Sequence, residues 1–170
     1  MSDGKRKTPQ EIIDEAIAKG AVLSIMYFDV SANDKDAVQA SLAELVGRIS
    51  KEQGVISAVG EIEEPMEIEG MWSSAAEVTI LAKSFQTLAN VAIRYGPIGI
   101  EILRPDQIKL SLGEAQSMLL NISQIGQDFA KYVITKMMTE EERERFRKQQ
   151  VARLELGKRI LEKIDEKNGG

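Results

Sequence analysis

Residues 21–31, AVLSIMYFDVS, are too apolar and too rich in β-branched and aromatic side chains for the surface of a helix, so they read as a central strand. The period then changes. Val38, Leu42, Leu45, Val46 and Ile49 recur at helical spacing, and Gly54 ends the run. Val55 to about Glu63 reads as a second strand, and a turn around Glu64, Pro65, Met66 and Glu67 leads to a third, from Trp72 to Ala82. Phe85, Leu88, Val91, Ala92 and Tyr95 then mark one side of a helix that Ser84 can cap and that Gly96 and Pro97 stop. Ile98 to Leu103 is the fourth strand, closed by Arg104 and Pro105. The order over residues 21–105 is β-α-β-β-α-β. Right-handed crossovers then put both helices on one face of a four-stranded antiparallel sheet.

This order resembles the ferredoxin-like superfold. The segment from Val22 to Ile102 is similar to the effector-binding and oligomerisation domains of the ACT and Lrp/AsnC type. The similarity lies in element order, element lengths and the glycine closing the first helix before Val55-Ile56-Ser57-Ala58-Val59. It implies an α+β sandwich that self-associates or senses a small molecule, with the ligand in an inter-subunit strand–helix crevice. Ser31-Ala32-Asn33-Asp34 lacks the glycine that ACT domains place beside their ligand, so the resemblance carries over no ligand residue.

Elements flank this segment on both sides. Residues 1–7 read as a mobile tail. Thr8 is a predicted N-cap with Pro9 at the first helical position and Glu11 completing a capping box, and Gly20 suits the stop. Asn33 is the predicted cap of the helix after the first strand. Ser111 with Glu114 opens a longer helix, from about Leu112 to Met138, with a stripe of Ala115, Leu119, Ile122, Gly126, Phe129 and Val133. Thr139 with Glu142 opens another, reaching about Glu166. The two helices fold into a hairpin at Thr139 or run on as one rod, and we favour the break. The expected organisation is a tail (1–7), an α+β domain with a leading helix (8–110) and a C-terminal helical arm (111–170). About 27 helical residues span roughly 40 Å, more than a domain of about 100 residues is comfortably wide. An overhanging apolar stripe needs the last helix or another chain to cover it.

The sequence contains neither histidine nor cysteine. That excludes a Ser-His-Asp triad, an imidazole base, a thiol nucleophile, a disulfide and a thiolate zinc site. Asp29 with Glu101 is a conceivable carboxylate pair if the first and fourth strands are neighbours, and Lys83 or Lys109 a conceivable Schiff-base lysine. Neither GxxxxGK[ST] nor GxGxxG occurs, so nucleotide phosphates lack a recognisable cradle. Glu61, Glu63, Glu64, Glu67 and Glu69 crowd one hairpin, where edge and turn charges that block strand pairing explain them better than a cation site. No catalytic residue, cofactor or metal ligand is assigned.

Net charge is −5, unevenly spread: residues 1–110 hold 11 basic and 17 acidic side chains, residues 111–170 hold 11 and 10. Arg143, Arg145, Arg147, Lys148 and Arg153 make the one candidate surface for phosphate, RNA or an acidic partner. A solvated face laced by Glu141–Arg145 and Glu144–Lys148 pairs explains the same residues and is preferred over nucleic acid. Leu119, Ile122, Phe129 and Val133, with Trp72 and Tyr95, are the candidate oligomer interface. No stretch is apolar enough to span a bilayer, and Thr8–Glu11 comes after the basic Lys5-Arg6-Lys7 where a signal peptide needs an apolar run. The expectation is a cytoplasmic, non-catalytic, homo-oligomeric assembly or adaptor protein. A protein partner on the C-terminal helices is the expected second contact. The alternatives are an ACT/Lrp-type sensor and an RNA- or ribosome-associated factor acting through the basic helix.

Overall fold

The computed structural model describes residues 7–168. Its order is α1 (Pro9–Ala18), β1 (Val22–Ala32), α2 (Lys35–Ser50), β2 (Val55–Ile62), β3 (Met66–Ile68), β4 (Met71–Ala82), α3 (Phe85–Tyr95), β5 (Gly99–Arg104), α4 (Leu112–Met137) and α5 (Glu140–Asn168). The fold is mixed α+β around one antiparallel sheet in the order β2-β4-β1-β5, with β3 paired to β4. The chain forms two compact units, divided between Met118 and Leu119. Of the tail, residues 1–6 lie outside the described residues, while the Lys7 ammonium sits 2.7 Å from the Glu15 carboxylate.

Strand periodicity builds the core of the first unit. Val22, Met26 and Phe28 alternate along β1, and Ala76, Val78, Ile80 and Ala82 along β4, all buried on one face. Val38, Leu42 and Ile49 of α2 and Leu88 and Val91 of α3 join the same cluster, so both crossover helices lie on that face. At Gly60 of β2 the helix α2 leaves no room for a side chain: an added Cβ would stand 2.6 Å from Val46 Cγ2. Glu52, in the turn after α2, is tied to the end of α3 by the Tyr95 hydroxyl (2.6 Å) and the Arg94 guanidinium (3.0 Å).

Local signals place the helix ends. Thr8 caps α1 in a complete capping box, Ser84 caps α3, and Gly96 ends α3 in the left-handed conformation (φ 59°), donating its N–H to the Ala92 carbonyl. Two expectations are corrected. Asp34, not Asn33, caps α2, its carboxylate accepting from the Ala37 N–H at 3.0 Å. The turn placed at Glu64–Glu67 is shorter, because Met66–Ile68 forms β3, with Glu69 (φ 51°) and Gly70 (φ 81°) making the tight return to β4. Left-handed glutamate is uncommon, and sequence alone gives little reason to expect a turn there.

Candidate assembly surface

Val91 is the last buried side chain among the described residues; none in α4, or in α5 up to Lys167, is buried. The arm breaks as favoured. Met137 ends α4, and Thr139 starts α5 with its hydroxyl accepting from the Glu142 N–H while the Glu142 carboxylate accepts from the Thr139 N–H at 2.8 Å. That backbone contact, with the Thr139 hydroxyl, holds the Glu142 carboxyl below the usual range. The Arg143 side chain reaches back to the Thr135 carbonyl at 3.1 Å.

The two helices share clefts lined on α4 by Gln124, Gln127, Asp128, Lys131, Ile134 and Thr135. Phe146, Gln150 and Leu154 of α5 line both clefts. Early residues of one helix meet late residues of the other, so they run antiparallel. The side of α4 turned to α5 thus carries mostly polar residue types, with Ala130 and Ile134 among them and their aliphatic stems lining the clefts. At 3.6 residues per turn, Ile122, Gly126, Phe129 and Val133 lie about half a turn away from it. They line neither cleft, and exposure is 68% at Leu119, 54% at Ile122, 68% at Phe129 and 37% at Val133. The predicted stripe forms as a continuous helical face, and the last helix of its own chain does not cover it.

The other predicted interface residues behave differently. Trp72 is half-buried against the core cluster, with the Lys35 ammonium 5.6 Å from its ring centroid, as a cover at the core's edge would be. Tyr95 also packs on the core and spends its hydroxyl on Glu52. Burial, then that carboxylate, pushes the Tyr95 phenol up, and the same hydrogen bond draws the Glu52 carboxyl below the usual glutamate range. A surface that sequence did not single out is the β5 edge, where Ile100 and Ile102 are 49% and 44% exposed and Ile98, just before the strand, is 68% exposed.

The basic run is partly neutralised from within. Arg143 pairs with Glu140 (3.0 Å) and Arg147 with Glu144 (2.7 Å), at i,i+3 spacing rather than the expected i,i+4 pairs. Arg145, Lys148 and Arg153 take part in no ion pair among the described residues, and Arg153 lines the α4–α5 cleft. Strands β1 and β5 are neighbours, yet the carboxylate pair does not assemble. Glu101 is in register with Ile25 and accepts from the Tyr27 hydroxyl at 3.4 Å, whereas Asp29 lies beyond the β5 pairing. Glu61 stands opposite Glu77 on the face away from the helices, a repulsive arrangement that suits solvent. No group of three or more acidic side chains is gathered for a metal ion among the described residues.

A further cleft of about 440 Å³ opens in the first unit, lined by Lys19, Lys83, Lys109 and Glu114 together with Ile17, Val22, Phe85 and Leu110. No described helix is long and apolar enough to cross a membrane. Residues 23–162 match the MJ0538 family. The chain belongs to that family. The match takes in the sheet, both crossover helices and most of the arm, so the arm is part of what defines the family. Its name carries no activity. Neither a curated protein nor a solved structure matches the chain.

Proposed function

We propose that this MJ0538-family protein is a non-catalytic homo-oligomeric assembly or adaptor protein, joined through its helical arm. One observation carries the reading: α4 bears a continuous apolar face that α5 does not cover. Burying such a face is favourable by about 25 cal/mol per Å², and monomers rarely leave so long a stripe in water. The order β1-α2-β2-β4-α3-β5 and the strand order β2-β4-β1-β5 support a ferredoxin-like assignment of the first unit, and with it the ACT/Lrp likeness. Light scattering of the full chain tests the assembly: a mass at least twice 18.8 kDa at low micromolar concentration is expected. A monodisperse monomer at high micromolar concentration sinks it.

A second reading, a small-molecule sensor, draws on the lysine-lined cleft. Three lysines against one glutamate, Glu114, leave the lining net positive among apolar side chains, which suits an anionic metabolite with a hydrophobic body. Thermal shifts with amino acids and nucleotides at millimolar concentration test it, and no stabilisation by any of them removes it.

A further inference from the structure

The self-assembly reading names the arm but not the geometry, and α4 carries enough information to go further. Its apolar positions 115, 119, 122, 126, 129 and 133 alternate steps of four and three, the spacing of a helix–helix seam. Ile125 and Tyr132 widen the seam on one side, at 42% and 62% exposure. Gly126 sits at its centre. Glycine is a poor helix former, and nothing lies within 4 Å of where its Cβ would be, so no packing within the chain calls for it there. The same holds at Gly113 and Gly157, but Gly126 alone of the three lies in the seam, where a missing side chain leaves room for a second backbone.

We propose that the occupant of this face is α4 of a second copy of this chain, antiparallel, with the two-fold axis at Gly126. The inference rests on the self-assembly reading above. Three observations support it. The first is area: a fully exposed large apolar side chain presents on the order of 200 Å². Taken with the exposures of Leu119, Ile122, Ile125, Phe129, Tyr132, Val133 and Met137, each α4 offers roughly 830 Å². A standard-size interface needs about 800 Å² from each partner.

The second is steric. Antiparallel pairing about Gly126 sets Leu119 opposite the second copy's Val133 and Ile122 beside its Phe129, large against smaller at each step. An in-register parallel pair would stack Phe129 on Phe129. The third is charge. Glu114 is the acidic residue of the first turn and Lys136 the basic residue of the last. Antiparallel packing brings each Glu114 end to a Lys136 end and opposes the two helix dipoles, whereas parallel packing sets like on like. The α5 helices then flank the α4 pair on its outer sides, because α5 occupies the opposite face of each α4.

The natural chain has no cysteine, so introduced cysteines are unique probes. Full-length Leu119→Cys and Val133→Cys proteins are mixed, allowed to exchange subunits and mildly oxidised, with wild-type Trp72 emission as the check on folding. A disulfide needs Cα atoms within about 7 Å. The mixture should cross-link at least tenfold faster than Leu119→Cys alone, and Gly126→Cys should cross-link to itself. Rapid cross-linking of Leu119→Cys alone overturns the antiparallel geometry. If no pair cross-links while light scattering still gives a dimer, this face is not the interface and the assembly reading survives on another surface, the β5 edge being the next to probe. A monomeric wild-type chain defeats both.

Discussion

Gly60 lets α2 settle on β2, and the closeness of that contact can be measured. In Gly60→Ala the new methyl would stand 2.6 Å from Val46 Cγ2 and 3.2 Å from Cγ1, well inside ordinary van der Waals contact. Valine is stiff at χ1, so it cannot swing aside within its own rotamer. Overpacking of this kind costs about 1–3 kcal/mol, against a gain of roughly 0.5–1 kcal/mol for removing glycine from a strand. The expected net loss is about 1–2 kcal/mol. Val46→Ala alone gives up half-buried methyl groups but gains helix propensity, and should cost about 1 kcal/mol. In the double variant the clash is gone. Its stability should fall close to that of Val46→Ala, leaving a coupling of about 1–2 kcal/mol. The assay is urea denaturation followed by Trp72, the one tryptophan, which packs on the core of this unit and so reports on it rather than on the arm. Additivity within about 0.5 kcal/mol would show that Gly60 and Val46 do not meet as described. A stabilised Gly60→Ala would refute the close approach outright.

Other outcomes depend on the same packing. Gly54→Ala combines a left-handed backbone (φ 89°) with a Cβ 2.6 Å from Thr87 Oγ1; it should lose about 2–3 kcal/mol in the same urea assay, and a neutral result contradicts it. Leu42→Ala empties a fully buried site in the middle of α2 and should cost about 3 kcal/mol, read as a lower urea midpoint at unchanged slope. The Glu52 carboxyl is held down first by the Tyr95 hydroxyl and then by Arg94. Ionised Glu52 therefore favours the folded state at pH above the usual glutamate range, and this contribution is lost as pH falls through the depressed folded value. Tyr95→Phe should move the Glu52 midpoint up in carboxyl carbon NMR titrations, and an unmoved midpoint counts against the contact.

Much of the first unit can be read from local chemistry. The alternation along 21–31 and 72–82, the left-handed Gly96 and the Ser84 cap each act within a few residues, and the strands and α3 lie where those signals point. The capping boxes at Ser111 and Thr139 do the same for the arm. What local signals miss is relational. Asp34 rather than Asn33 caps α2 because the choice between adjacent candidates depends on where the strand releases the chain. The Asp29–Glu101 pair fails on register, which is fixed by the whole β1–β5 ladder. The arm shows the same division. Periodicity reveals the stripe on α4, but only the placement of α5 shows that the polar side of α4 is the one it takes. Tyr95 has the residue type of an interface anchor, yet a partner 43 positions away in the chain claims its hydroxyl.

Burial that stops at Val91 divides the molecule's response to dilution. The sheet unit owns its core, so its unfolding is a property of single chains and its midpoint stays put as concentration changes. The helices beyond it have no core of their own, and long helices without tertiary packing are only marginally stable in water. If copies pair through α4 as proposed, their order is governed by mass action. One chain would carry two stabilities, a sheet whose melting ignores concentration and an arm whose helicity measures how many copies are nearby.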